Sequence, residues 1–320
     1  VTGHGIDPAL FADLDRLARR FFAQSDQTKA EIAMAMAGPA WRGWFPVGAE
    51  LTSGRPDHKE GIYFGTELPN DDPRVRAGTP LHGPNLFPDE PAGLGTAVLA
   101  YLDAATRVGH AIMSGLAIAL GLPRGWFADD LTADPTVLFR IFHYPPEVEA
   151  PEDAPHHTTS RAPTWGVAEH TDYGLLTLLA QDDRGGLEVR VDGRWLPVPA
   201  EPDVLVCNLG DMLEALTAGR YRSTPHRVRN TSGAGRLSFP LFFDPGWDAR
   251  VRPLPLDSLT APSDPSDPHR PTVSSDSVAT PSIQQRWDRT DPAAWTGTYG
   301  EYLTAKVSRV FPELFASLEG

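Results

Sequence analysis

The sequence predicts a mainly β fold, a jelly roll or β-sandwich core with flanking helices, and three observations predict it. From Val137 the hydrophobic period changes from helical to alternating, through short runs at Val137–Tyr144, Leu175–Ala180, Leu187–Val191, Val204–Leu209, Arg227–Arg229 and Arg236–Phe243. Glycine-rich turns separate these runs at close spacing, as barrels and sandwiches require. Helical patterns lie outside them, toward either end of the chain.

The elements follow in order. Asp7-Pro8 offers an N-cap and a proline at the first helical position, and Leu10, Phe11, Leu14, Leu17, Phe21 and Phe22 then recur at helical spacing. Gly38 to Pro91 is rich in Gly, Pro and aromatics with little periodicity and reads as a long covering loop. An apolar helix is expected at about Ala97 to Leu120, stopped by Gly121 and Pro123. Asp103, Arg107 and His110 interrupt it, so its uncharged stretch is too short to cross a bilayer. Asp192-Gly193, between Val191 and Trp195, is a two-residue hairpin signal, because glycine accepts the positive φ such a turn needs. Pro253 to Pro292 repeats Ser, Asp and Pro and buries too little apolar surface to repay ordering. A last helix, about Thr298 to Phe315, places Tyr299, Leu303, Val307, Val310, Phe311 and Leu314 on one side. The expected organisation is a helical and loop region at 1–135, a jelly-roll core at 136–252, an insertion at 253–292 and a terminal helix at 293–320, together one structural unit.

Composition narrows the function. Lys+Arg 28 against Asp+Glu 42 gives a net charge of -14, which repels polyanions and excludes nucleic acid as a partner. The single cysteine, Cys207, sits in the apolar run Val204-Leu205-Val206-Cys207. A disulfide framework and a thiolate metal cluster are thereby excluded, and a reducing cytoplasm is the expected compartment. No charged-then-apolar leader opens the sequence, so no secretory signal is expected. No exposed heptad sets an oligomeric state.

The chemistry concentrates in the β region. In His170-Thr171-Asp172 the alternation of an extended chain sends positions 170 and 172 to one face, where two metal ligands can converge. His226 follows after enough chain to cross a sheet and return. Two imidazoles and a carboxylate on one face of an octahedron leave three positions open, which suits iron(II) that must also take a chelating acid and O2. Alone, His-x-Asp is a weak signal. Arg236-Leu237-Ser238 on the next β-like run strengthens it, since Arg236, Ser238, Pro240 and Phe242 share a face and a buried guanidinium needs an anion. Arg140, Phe142 and Tyr144 likewise alternate onto one face.

With these residues the chain resembles the isopenicillin N synthase-like branch of the iron(II)/2-oxoglutarate-dependent oxygenases. The resemblance covers most of the chain, from Val1-Thr2-Gly3-His4-Gly5-Ile6 through Trp41-Arg42-Gly43-Trp44-Phe45-Pro46 and Lys59-Glu60-Gly61-Ile62-Tyr63-Phe64-Gly65. Its most specific parts are His170-Thr171-Asp172, Asn208-Leu209-Gly210-Asp211, Pro225-His226-Arg227 and Arg236-Leu237-Ser238-Phe239, in that order. It implies a double-stranded β-helix with Fe(II) held by His170, Asp172 and His226. It also implies 2-oxoglutarate and O2 as cosubstrates, with the far carboxylate of the keto acid on Arg236 and Ser238, and Tyr144 as a cosubstrate-binding tyrosine. Phe142 departs from the asparagine that plant members often carry there.

The expected activity is a dioxygenase of secondary metabolism that hydroxylates, desaturates or cyclises a small molecule, yielding succinate and CO2. The alternatives are an oxidase of the same fold that does without 2-oxoglutarate, and a non-catalytic binding module. Arg42, Lys59, Tyr63, Arg140, Phe142 and Phe242 are the candidate substrate contacts. Phe139, Phe142, Phe242, Phe243, Trp165 and Trp247 point to an aromatic-lined cavity, and Asn208 or Asp211 is expected to steady a ligand histidine.

Overall fold

The computed structural model describes residues 1–146, 164–256 and 292–311. Most of the expected insertion at 253–292 and the end of the expected last helix beyond 311 lie outside the described residues.

Asp7 accepts a hydrogen bond from the Ala9 N–H and starts the first helix, Pro8–Phe22, which buries Leu14, Leu17, Phe21 and Phe22. The long helix runs Leu94–Ala119, beginning three residues before the expected start. Among the described residues no helix is long and apolar enough to cross a membrane. The C-terminal helix spans Tyr299–Val307, and Thr298 and Glu301 close a reciprocal capping box at its start.

Residues expected to form only a covering loop carry strands β1 (Gly43–Phe45), β2 (Leu51–Thr52), β3 (Arg55–Pro56) and β4 (Glu60–Gly65). The remaining strands are β5 (Thr136–Tyr144), β6 (Val167–His170), β7 (Leu176–Gln181), β8 (Leu187–Val191), β9 (Arg194–Pro197), β10 (Val206–Leu209), β11 (His226–Val228) and β12 (Arg236–Asp244). One antiparallel sheet has the order β1-β4-β5-β12-β7-β10, a second β6-β11-β8-β9, and β2-β3 form a small ribbon. The expected boundary at 135/136 therefore cuts the larger sheet, because β4 pairs with β5 along Glu60↔His143 to Gly65↔Leu138. β4 is buried on both faces, so it lacks the alternation that reveals a half-buried strand. Its charged residue, Glu60, hides inside by accepting from Lys29 Nζ at 2.6 Å and Trp44 Nε1 at 2.9 Å, with His143 Nδ1 at 2.8 Å.

The hairpin at Asp192-Gly193 forms as expected, with φ of 49° and 75° at its two central residues and Val191 paired to Arg194. Odd positions of β5 and β12 face the helices. Phe139 meets Tyr101 of the long helix at 5.0 Å, Phe243 meets its His110 at 4.8 Å, and Phe239 meets Phe11 of the first helix at 5.2 Å. Even positions of the same strands face the space between the two sheets, which is where the site lies.

Candidate metal centre and anion pocket

Strand register builds the centre. His226 of β11 is the cross-strand partner of His170 of β6, with an irregular register just beyond the pair, so the two imidazoles stand side by side at 4.2 Å between ring centroids. Asp172 follows two residues after His170, and its Oδ1 lies 3.8 Å from His226 Nε2. One ligand atom from each of the three residues falls within 4.8 Å of the other two.

Backbone carbonyls fix the rings. His170 Nδ1 lies 2.8 Å from the Ala168 carbonyl and His226 Nδ1 lies 3.0 Å from the Thr224 carbonyl. Each carbonyl takes a proton on Nδ1 and leaves Nε2 with its lone pair, which is the form a metal requires. Burial, with His226 close by, lowers the His170 pKa to about 3, so that ring stays neutral at any working pH. This corrects the expectation for Asn208 and Asp211. The segment Asn208-Leu209-Gly210-Asp211 holds the loop that bears Asp172 instead: Asp211 N–H donates to the Asp172 carbonyl at 2.8 Å and Met212 N–H to those of Tyr173 and Gly174 at 3.1 Å. A Cβ on Gly210 would sit 2.2 Å from the Gly174 carbonyl, so only glycine permits that approach.

The cavity between the sheets measures about 110 Å³ and is lined by all three of these residues, by Tyr144, Arg236 and Ser238, and by Lys59, Arg140, Phe142 and Phe242. Arg236 is fully buried. Its Nε donates to the Gly185 carbonyl and its Nη2 to Gln181 Oε1 at 3.2 Å, while Nη1 has no partner among the described residues. Tyr144 stacks under the guanidinium at 4.7 Å, and its hydroxyl lies 3.1 Å from Ser238 Oγ. Asp172 Oδ2 is also buried without a partner among the described residues. A carboxylate oxygen and a guanidinium N–H left open in one cavity fit a cation at the first and an anion at the second.

Other candidates fall elsewhere. Arg42 is buried with Nη2 donating to the Leu81 carbonyl at 2.7 Å, and Tyr63 donates to Glu50 Oε1 at 2.6 Å; neither lines the cavity. Phe139 and Phe243 face the helices, Trp165 stacks with Arg227 at 4.3 Å, and Trp247 meets His82 at 4.9 Å. Lys59 lines the cavity, but its ammonium is held by Asp57 and, at 2.9 Å, by Glu50. Burial alone would lower the Lys59 pKa; Glu50 and Asp57 outweigh it and raise it. Lys59→Met should therefore act on stability, costing about 3–5 kcal/mol by stranding two buried carboxylates, with urea denaturation as the measure. An unchanged midpoint would return Lys59 to the substrate contacts.

The sequence reading missed Glu50, Asp244, Tyr173, the helix positions Leu303 and Val307, and Phe311 beyond them as cavity residues. The apolar stripe of the C-terminal helix was visible, but not that a cavity lay beneath it. Asp244 accepts from the Leu175 N–H at 3.0 Å and the Tyr299 hydroxyl at 2.6 Å, yet burial raises its pKa to about 7. Between pH 4 and 7 the unfolded chain releases a proton that the folded protein keeps. Stability from this group is complete below that window and is lost as pH rises through it, by about 4 kcal/mol for a displacement of this size. Denaturation of the metal-free protein at pH 5 and pH 8 should show that decline in the wild type and a flatter profile in Asp244→Asn; parallel profiles would refute it.

Comparison with known proteins follows the same lines. Residues 135–245 match the sequence model of the 2OG-Fe(II) oxygenase superfamily, and residues 1–90 match that of the N-terminal region of non-haem dioxygenases in morphine synthesis. The chain is 42% identical over 328 residues to a probable iron/ascorbate oxidoreductase of Dictyostelium discoideum, covering 98% of this chain and 85% of that protein. It is 30% identical over 341 residues to a 1-aminocyclopropane-1-carboxylate oxidase of the same organism, covering 98% and 86%. A crystal structure of a 2OG-Fe(II) oxygenase family protein from Caulobacter crescentus superposes with a TM-score of 0.69 at 28% identity, covering 97% of this chain and 88% of that one.

Proposed function

The chain belongs to the 2OG-Fe(II) oxygenase superfamily, and on that premise we propose that it hydroxylates a small organic substrate, converting 2-oxoglutarate and O2 to succinate and CO2. It is an Fe(II)- and 2-oxoglutarate-dependent dioxygenase; the residue roles and the outcome at the substrate are the proposal. His170, Asp172 and His226 hold the metal, and Arg236 and Ser238 bind the far carboxylate of the keto acid. The observation that carries this reading is the buried Arg236, with Nη1 unpaired among the described residues, in the cavity that also holds the open Asp172 oxygen.

Iron held by this set would supply, with 2-oxoglutarate and O2, the oxidising chemistry that couples decarboxylation to attack on a C–H bond. The protein supplies placement. The Ala168 and Thr224 carbonyls hold both imidazoles with Nε2 free. Arg236 neutralises and orients the anion from a position fixed by Gly185 and Gln181, so the keto acid has one docking direction before O2 arrives. The Tyr144 ring covers one face of that guanidinium and its hydroxyl steadies Ser238. Phe142, Phe242, Val307 and Phe311 keep the substrate end dry.

The relative named as an oxidase keeps one second reading in view, turnover without 2-oxoglutarate. An anaerobic titration of the iron(II)-loaded protein with 2-oxoglutarate separates the two. A saturable visible charge-transfer band, followed under O2 by stoichiometric succinate, supports the dioxygenase reading. Bound iron with no band would overturn it.

A further inference from the structure

The substrate end of the cavity holds a second guanidinium in an unusual state. Arg140 sits on β5 four residues before Tyr144, which is roughly 13 Å along an extended strand and so well removed from the Arg236 end. Its two faces are covered, by the Tyr63 ring at 3.9 Å and the Phe242 ring at 4.7 Å. Its edges are bare. Arg140 forms no hydrogen bond with any described residue, and its buried Nε lacks a partner. The nearest acid, Glu50, stands 3.7 Å from Nη1, too far for a hydrogen bond, and that same Glu50 oxygen already accepts from Tyr63. The other carboxylate within reach of its charge, Asp244, accepts from the Leu175 N–H and the Tyr299 hydroxyl.

A guanidinium packed on both faces can be satisfied only in its own plane, and its fork of N–H groups matches a carboxylate there. We infer that Arg140 is the specificity-determining residue for the substrate, and that the substrate is a small carboxylic acid whose anion docks on the Arg140 edge while its apolar body lies along Phe142 and Phe311 toward the metal. The inference rests on the functional reading above, since it places the keto acid at Arg236 and leaves Arg140 to the substrate. The aromatic clamp keeps the guanidinium from collapsing onto Glu50 when no substrate is bound.

The test uses anaerobic protein loaded with iron(II) and saturated with 2-oxoglutarate, so that the Arg236 end is filled. Benzoate, phenylacetate and hexanoate are each titrated calorimetrically against their primary amides, which match in shape and lack the charge. At least one acid should bind tenfold or more tightly than its amide in the wild type. Arg140→Gln should erase that preference with 2-oxoglutarate affinity held within about twofold, which also reports that the variant is folded, and Arg140→Lys should restore part of it. Equal binding of acid and amide, no binding of any acid, or a preference that survives in Arg140→Gln overturns the inference while leaving the functional reading intact. Failure of 2-oxoglutarate itself to bind the wild type would strike the functional reading first.

Discussion

Alanine at His226 is expected to abolish iron retention and to lower 2-oxoglutarate turnover by about a thousandfold or more, because a three-ligand site has no spare donor. His226 is the central member of the set: it stands beside His170 across the strand pair and its Nε2 faces Asp172. The fold should survive, since the ring's only hydrogen bond among the described residues is to the Thr224 carbonyl, two residues away on its own strand approach. Three readouts decide the matter together: iron content after gel filtration, the rise in Tm that Fe(II) gives the wild type, and circular dichroism. A folded variant with full iron content would remove His226 from the centre.

Arg236→Ala is the second large effect, and it should fall on the keto acid with the metal left in place. A charge-assisted hydrogen-bond pair of this kind contributes about 1.5–3 kcal/mol, so the apparent Kd for 2-oxoglutarate should rise by roughly 10- to 150-fold with iron stoichiometry unchanged. Arg236→Lys keeps the charge but not the fork and should lie between the two. The measurement is the charge-transfer titration repeated on each variant, with free iron held constant. Equal half-saturation in all three proteins would mean that the far carboxylate binds elsewhere, and Arg140 would be the first place to look.

How much of this was readable beforehand depends on what each residue's neighbours in sequence say about its surroundings. β5, β7, β8 and β12 were legible as short apolar or alternating runs bounded by turn signals, and the Asp192-Gly193 hairpin because its two positive φ angles demand those residue types. β4 was not, since burial on both faces erases the alternation and the partners that neutralise Glu60 come from Lys29 and His143, distant in sequence. The three residues of the candidate metal centre could be named because alternation puts His170 and Asp172 on one face and the family motif supplies His226. What fixes the histidine rings could not, because the acceptors are carbonyls, which every residue carries. The separation of Arg140 from Arg42 and Tyr63 was equally hidden. All three are polar residues in apolar surroundings; register pairs Tyr63 with Arg140 on one face, and only the packed structure shows that Arg140 alone of the three lines the cavity.

The odd-even division along β5 and β12 makes chain length itself a functional parameter. Phe139, Ile141 and His143 serve the helix-facing core, while Arg140, Phe142 and Tyr144 serve the cavity, and β12 alternates in step through Leu237, Phe239, Leu241 and Phe243 against Arg236, Ser238, Pro240 and Phe242. Losing one residue from either strand would exchange the two sets over the rest of its length, sending guanidinium and hydroxyl groups into the core and phenylalanines into the cavity. These strands behave as a reading frame, in which single substitutions are graded errors and a single deletion is a frameshift. Lineages of such proteins are thus free to diversify by lengthening the connections around the sheet, and are confined to point changes within it.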